Sequence, residues 1–320
     1  MKLNSRRNIK YLNSHPFYET EMGAAYLGDA LILLKEIPNN SIDLIFTSPP
    51  YALHFKKEYG NVGKKEYVDW FAEFAKEFHR VLEPEGSFFL NIGGSYRKGH
   101  PVKSLYHLRL AIKLVDEVGF FLAQELFWHN PEKLPVPAQW VTVTRQRIKD
   151  AVEYVFWFGK TERPKASNRN VLTPYSKDMK RLLVKGYRAK ERPSGHKITK
   201  KWKRDLGGAI PSNLIECGNN SANDAYLMSC KESGIKPHPA RFPWNLPDFA
   251  IKLTTDARAV VLDPFAGSNT TGQIAESLDR KWVAFEIERD YLEGSKFRFW
   301  PIVNSKKKEA SDKKQLTLFK

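Results

Sequence analysis

The chain has 320 residues and a net charge of +16, a basic excess that argues for a polyanionic partner, nucleic acid first. Its two cysteines, Cys217 and Cys230, match neither a zinc-ligand spacing nor a disulfide framework, which predicts no metal and a reducing, intracellular home. No stretch is long and apolar enough to span a membrane, and Met1 to Lys10 has no apolar signal core, so secreted and membrane-spanning classes are set aside.

Residues 1–20 carry Lys2, Arg6, Arg7 and Lys10 and read as a frayed basic arm or one that touches phosphates. Ala24 to Asp29 reads as a strand and turn, Ala30 to Ile37 has helical spacing up to Pro38, and Leu44-Ile45-Phe46 is a buried strand. Strand, helix and strand make a βαβ unit, the signature of a parallel sheet. Asp29 sits at a strand's carboxyl end, where such folds place ligands, and it fits an N-cap equally well.

The Leu44–Phe46 strand stops at Thr47-Ser48-Pro49-Pro50-Tyr51. Two prolines cannot donate to a ladder and push their neighbours to extended conformations, so the loop is stiff. It presents the Ser48 hydroxyl, the Pro49 carbonyl and the Tyr51 ring. Two acceptors beside a flat ring suit an exocyclic amino group on a base.

His54 to Asn61 reads as a loop beside this site, and Tyr67 to Leu82 as an amphipathic helix. Pro84-Glu85-Gly86 predicts a turn, Ser87 to Ile92 a strand, and Leu105 to Val118 a helix ending near Gly119. Phe120 to Trp128 and Asp150 to Phe158 predict two further strands, with His129-Asn130-Pro131 after the first. Between Arg163 and Arg204 stand fifteen Lys or Arg against two acids, with Tyr175, Tyr187, His196 and Trp202 interleaved. Aromatics among cations favour a nucleic-acid surface over a solvated charge run. Periodicity is weak up to about Lys236, so no elements are assigned there.

After His238-Pro239-Ala240-Arg241-Phe242-Pro243, Leu246 to Leu253 has helical spacing and Ala259 to Leu262 is a strand. It leads into Asp263-Pro264-Phe265-Ala266-Gly267-Ser268-Asn269-Thr270-Thr271-Gly272, a helix to about Leu278, and a strand from Lys281 to Phe285 that ends on Glu286. Glycines let backbone approach a ligand, free amides at a helix start favour an anion, and an acid about 20 residues on reaches ribose hydroxyls. The pattern lacks Gly-x-Gly-x-x-Gly and a Walker lysine, so NAD and ATP fit poorly.

Thr47–Tyr51, His238–Pro243, Asp263–Gly272 and Glu286, in this order, resemble the DNA amino-methyltransferases whose catalytic motif precedes the cofactor motif. Ser-Pro-Pro-Tyr is similar to the cytosine-N4 branch, and the resemblance covers roughly residues 20–300. It implies an α/β, Rossmann-like S-adenosylmethionine-dependent methyltransferase sheet with an inserted target-recognition region. The segments would be a basic arm (1–20), a catalytic half (21–162), the recognition region (163–236), a cofactor-binding half (237–302) and a disordered basic tail (303–320). Asp263, Phe265, Gly267, Ser268 and Asn269 would wrap S-adenosyl-L-methionine, with Glu286 on the ribose and Asp29 near the adenine. His238–Pro243 would face the methionine end. Ser48, Pro49, Pro50 and Tyr51 would grip a cytosine flipped from double-stranded DNA, in the cytoplasm of a bacterium with a partner restriction nuclease.

An acidic partner for Ser48 is expected at Asn91, where some relatives carry an acid, and asparagine cannot take a proton. Trp128-His129-Asn130-Pro131 resembles the loop that contacts the extruded base, or is a plain strand-end turn. Gln315, Leu316, Leu318 and Phe319 resemble the peptide that ligands of the bacterial sliding clamp carry. The rivals to a cytosine-N4 enzyme are an adenine-N6 methyltransferase, an RNA methyltransferase and a catalytically silent DNA-binding module.

Overall fold

A computed structural model describes residues 12–52, 66–186, 205–219 and 224–302. The loop expected at His54–Asn61, most of the basic arm, Tyr187, His196 and Trp202 of the basic block, and the tail with Gln315–Phe319 lie outside the described residues.

In chain order the elements are β1 (Tyr18–Glu19), β2 (Gly23–Leu27), α1 (Ala30–Leu34), β3 (Ile42–Thr47), α2 (Tyr67–Val81) and β4 (Leu82–Ile92). A small hairpin, β5 (Ser95–Tyr96) and β6 (Lys103–Ser104), precedes α3 (Tyr106–Lys113), β7 (Phe121–His129) and β8 (Val152–Gly159). Then come α4 (Lys177–Lys185), β9 (Leu214–Glu216), α5 (Ala225–Glu232), α6 (Asn245–Thr254), β10 (Val260–Asp263), α7 (Thr270–Ser277), β11 (Lys281–Glu286) and α8 (Arg289–Ser295).

Nine strands form one sheet in the order β1-β2-β11-β10-β3-β4-β8-β7-β9. From β2 to β4 all neighbours run parallel, while β8 pairs antiparallel with both β4 and β7. The parallel strands are buried on both faces, which is why they read as apolar runs without alternation. Helices α1, α2 and α3 cover one face, with Leu34, Phe71, Phe78 and Leu110 packed on Ile45, Phe88 and Leu262. Helices α6, α7 and α8 cover the other, with Ile251, Ala275 and Leu292 packed among Leu44, Phe46, Phe89 and Val261. Each phenylalanine taken fully out of water stabilises the fold by roughly 1.5–3 kcal/mol, so the ring cluster around Phe71, Phe78 and Phe88 anchors α2 to the sheet.

Three local departures from the sequence reading have plain causes. The turn expected at Pro84–Gly86 lies inside β4, where the partners jump from Ile42–Leu82 to Leu44–Ser87 and the intervening residues loop out of the ladder. The helix expected to reach Val118 changes to a π-helical turn at Leu114–Val118, closed by Gly119 in the left-handed region at φ 92°. The segment with weak periodicity supplies α4, which buries no residue, and β9, which extends the sheet beside β7.

Candidate active site

Strand order reverses between β10 and β3: the chain leaves β10 towards β11 and leaves β3 towards β4. Loops that part in this way open a crevice at the strands' carboxyl ends, the usual ligand site of such sheets. The two sequence motifs therefore meet. Thr47 Oγ1 at the end of β3 donates to Asp263 Oδ1 at the end of β10 at 2.7 Å. Asp263 also accepts from Thr271 Oγ1 at 2.6 Å and the Phe265 amide at 3.2 Å. Burial pushes its carboxyl up to about 6, against the pull of these three donors.

On the β10 side the backbone does most of the shaping. Gly267 lies at φ 52°, and a Cβ there would meet the His238 ring at 3.1 Å. Asn269 also lies in the left-handed region, where its side chain caps α7 by accepting from the Gly272 amide at 3.0 Å. Glu286 accepts from the Gly267 amide at 2.7 Å through one oxygen and from the Ile287 and Glu288 amides at 2.9 Å through the other. Burial raises its carboxyl and the three amides hold it back. A carboxylate offers about four lone-pair sites, so Glu286 keeps acceptor capacity for a ligand hydroxyl. Arg298 clamps the loop from behind, donating to the Ser268 carbonyl and hydroxyl at 3.2 Å each and pairing with Asp224 at 3.0 Å.

On the β3 side, side chains from separate segments converge. Period-two alternation puts Ser48, Asn91 and Glu153 on the sheet face that carries Phe46, Phe89 and Val155. Asn91 Nδ2 donates to Ser48 Oγ at 3.3 Å and to Tyr51 Oη at 3.1 Å. Ser48 Oγ donates to Tyr51 Oη at 3.4 Å, and Tyr51 Oη donates to Glu153 Oε2 at 2.7 Å. Lys133 Nζ holds the other Glu153 oxygen at 2.7 Å. Burial, followed by the Glu153 charge, pushes the Tyr51 phenol well above its ordinary range, so it stays protonated.

Both halves open into one cavity of about 880 Å³. All four residues of Ser48–Tyr51 line it, as do Asp29, Phe265, Gly267, Ser268 and Glu286. Asp263 and Asn269, expected among the cofactor contacts, are buried supports of the loop rather than parts of the cavity lining. Asp29 is both things the sequence allowed: it lines the cavity, and its carboxylate caps α1 through the Leu31 amide at 2.7 Å. His238 to Phe242 line the wall, fixed by the Phe242 ring against Phe46 at 5.3 Å. Trp128 and Asn130 face the cavity, while His129 turns away to Glu216 at 2.8 Å. The reading of the sequence missed Glu153, Lys133, Trp70, Phe74 and Arg298. An acid inside the apolar run Val152 to Phe158 was the available signal for Glu153.

A doubly wound sheet with a glycine loop, an acid one strand on and a cavity at the switch point defines a Rossmann-like fold built for a nucleoside ligand. The chain belongs to the DNA methylase family, whose model matches residues 42–297. It is 51% identical over 298 residues to the type II methyltransferase M.PvuII of Proteus hauseri, covering 92% of this chain and 89% of that one. A solved PvuII DNA methyltransferase described as cytosine-N4-specific superposes with a TM-score of 0.76 at 43% identity, covering 94% of each chain. TTHA0409 of Thermus thermophilus, solved with S-adenosyl-L-methionine, gives 0.53 at 20% identity over 86% of this chain and 92% of that one, a likeness of fold. Among the described residues no helix is long and apolar enough to cross a membrane, and no cluster of three His, Cys, Asp or Glu could hold a metal.

Proposed function

We propose that this chain moves the methyl group of S-adenosyl-L-methionine to the exocyclic N4 amino group of a cytosine flipped out of double-stranded DNA. In a bacterial cytoplasm it thereby protects DNA from a partner restriction nuclease. One observation carries this reading: Ser48–Tyr51 and the Gly267–Glu286 cradle share a single cavity across the Thr47–Asp263 bond. The near relative described as cytosine-N4-specific supports the choice of base.

The residues suit the cofactor. Gly267 lines the cavity in a conformation that side chains rarely adopt, and Glu286, with three amides on about four lone-pair sites, keeps about one for a ribose hydroxyl. The Trp70, Phe74 and Phe265 rings, 5.0 to 6.1 Å apart, make an aromatic wall for a purine or a sulfonium. The bound cofactor supplies an electrophilic methyl group. The chain's own work is positioning and electrostatics. Extruding the base costs a few kcal/mol, which packing against Tyr51 offsets in part. The Ser48 oxygen and the Pro49 carbonyl accept the two amino hydrogens and draw the nitrogen towards a tetrahedral, nucleophilic shape.

The recognition region proposed for 163–236 presents Lys177, Lys180 and Lys185 on α4 to phosphates. Clamp binding through Gln315–Phe319 rests on sequence alone; a fluorescent peptide of residues 303–320 without affinity for a bacterial sliding clamp removes it. Incubating the protein with cofactor and duplex DNA, digesting to nucleosides and weighing them tests the main reading. N4-methylcytosine is expected. N6-methyladenine replaces the base assignment, transfer to RNA alone replaces the polymer, and failure to bind the cofactor by calorimetry favours a silent DNA-binding module.

A further inference from the structure

The position where an acidic partner for Ser48 was expected holds Asn91, which is 1% exposed and whose Oδ1 has no hydrogen-bond partner among the described residues. An acid reaches the site from elsewhere. Glu153 enters on the antiparallel strand β8, where Asn91 pairs with Val155 and Ile92 with Tyr154, so Glu153 lies beside Gly93 just past the end of β4. Gly93 makes room for the middle member of the group: a Cβ there would stand 2.8 Å from the Tyr51 ring, while the Glu153 carboxyl carbon would lie at an ordinary contact of 3.5 Å. Tyr106 donates its hydroxyl to the Gly93 carbonyl and pins the strand end.

We propose that Glu153 is the final proton acceptor of methyl transfer in this enzyme, reached from the target amine through the Ser48 and Tyr51 hydroxyls. This rests on the transferase reading above. The donor directions run one way, Ser48 to Tyr51 at 3.4 Å and Tyr51 to Glu153 at 2.7 Å. Asn91 donates to both hydroxyl oxygens and so leaves their protons free to point along that line. The nitrogen lone pair forms the N–CH3 bond, and the CH3–S bond breaks with its electron pair going to sulfur. The surplus amine proton passes to Ser48 Oγ as the Ser48 proton passes to Tyr51 Oη and the Tyr51 proton to Glu153 Oε2. A sulfonium and a carboxylate become a neutral thioether and a carboxylic acid, so charge and protons balance. Lys133 on Oε1 leaves Oε2 as the receiving atom. The phenol acts as a relay, never as a free phenolate, which burial and the Glu153 charge disfavour.

The test is Glu153→Gln in the full-length protein, with cofactor affinity by calorimetry, base extrusion by 2-aminopurine fluorescence in duplex DNA, and single-turnover transfer. Expected is a rate loss of about 100-fold or more, in the range of general acid–base contributions, with cofactor affinity and extrusion unchanged. Adding Asn91→Asp in that background, which sets a carboxylate beside both hydroxyls, recovers at least about tenfold of the rate. A single-turnover rate close to that of the wild type, a loss confined to affinity or extrusion, or no recovery overturns the proposal. If Glu153→Gln does not fold, Tyr51→Phe decides, because it deletes the middle hydroxyl and keeps the ring: slowed transfer with extrusion intact supports the relay, and unslowed transfer overturns it. A wild-type protein that transfers no methyl to DNA cytosine defeats the transferase reading instead, so the two failures are distinct.

Discussion

The two walls of the cavity are built by different means. The wall beyond β10 and β11 is backbone: a glycine at positive φ, amides gathered on Glu286, and a helix start capped by Asn269. The wall beyond β3 is a meeting of side chains, Ser48 and Tyr51 with Asn91, Lys133 and Glu153, drawn from four stretches of chain. Backbone shaping suits a ligand whose bound groups, such as ribose hydroxyls, stay the same through a reaction. Side-chain convergence places hydroxyls and charges within hydrogen-bond reach of one another, the arrangement the proposed proton relay needs.

The sharpest way to test this contrast is to remove one atom from the β3 wall. Ser48→Ala is expected to slow methyl transfer by about 10²-fold or more while calorimetric cofactor affinity stays unchanged, because Ser48 serves the base alone. A matching loss of affinity would merge the two walls into one.

Asp263, at the seam between them, gives a pH test of stability. Its carboxyl is raised from 3.8 to about 6 in the folded state, so the native protein holds a proton that the unfolded chain has already released across that window. This group's contribution is therefore fully present below about pH 4, falls as pH rises, and levels off above about pH 6, a loss on the order of 3 kcal/mol. Asp263→Asn removes that slope; denaturant midpoints of variant and parent recorded from pH 4 to 7 check it, and parallel curves refute it.

On the β10 wall, Gly267→Ala is expected to weaken cofactor binding by about tenfold through left-handed strain of ~1 kcal/mol and contact with His238, without changing which base is methylated. Calorimetry and nucleoside analysis together read both halves of that statement. The smallest effect lies outside the cavity. Lys177→Ala with Lys180→Ala is expected to reduce the salt slope of DNA binding by about 1 per lysine, read from affinities across a salt series. An unchanged slope removes α4 from the DNA face.

The same contrast explains what the sequence made legible. Asp263 to Glu286 is one continuous strand–loop–helix–strand unit, so the glycines and the acid could be read together from spacing. Ser48–Tyr51 was legible for the same reason, as a stiff loop after an apolar strand. Glu153 was not, because its place depends on the antiparallel pairing of β8 with β4, and register between strands so far apart leaves no mark on either one. Asn91 was found at the right strand end and beside Ser48, but its second partner, Tyr51, was not. Asp263 and Asn269 were found as residues of the cofactor loop; that they work from behind its wall depends on Thr47 and Tyr18, partners distant along the chain.

The strand order has a consequence for how the protein is made. β2 and β3 are made before β10 and β11, yet they share no edge, since β11 and β10 lie between them. Thr47 waits for Asp263, 216 residues later, which is roughly 10–40 s of synthesis. Until then the nascent chain carries two apolar strand edges without their partners, the kind of edge that pairs with other chains. A chain cut before Val260 lacks the middle of the sheet rather than a strand at its edge, so β2 and β3 stay unjoined and the cavity between the two motifs has no second wall.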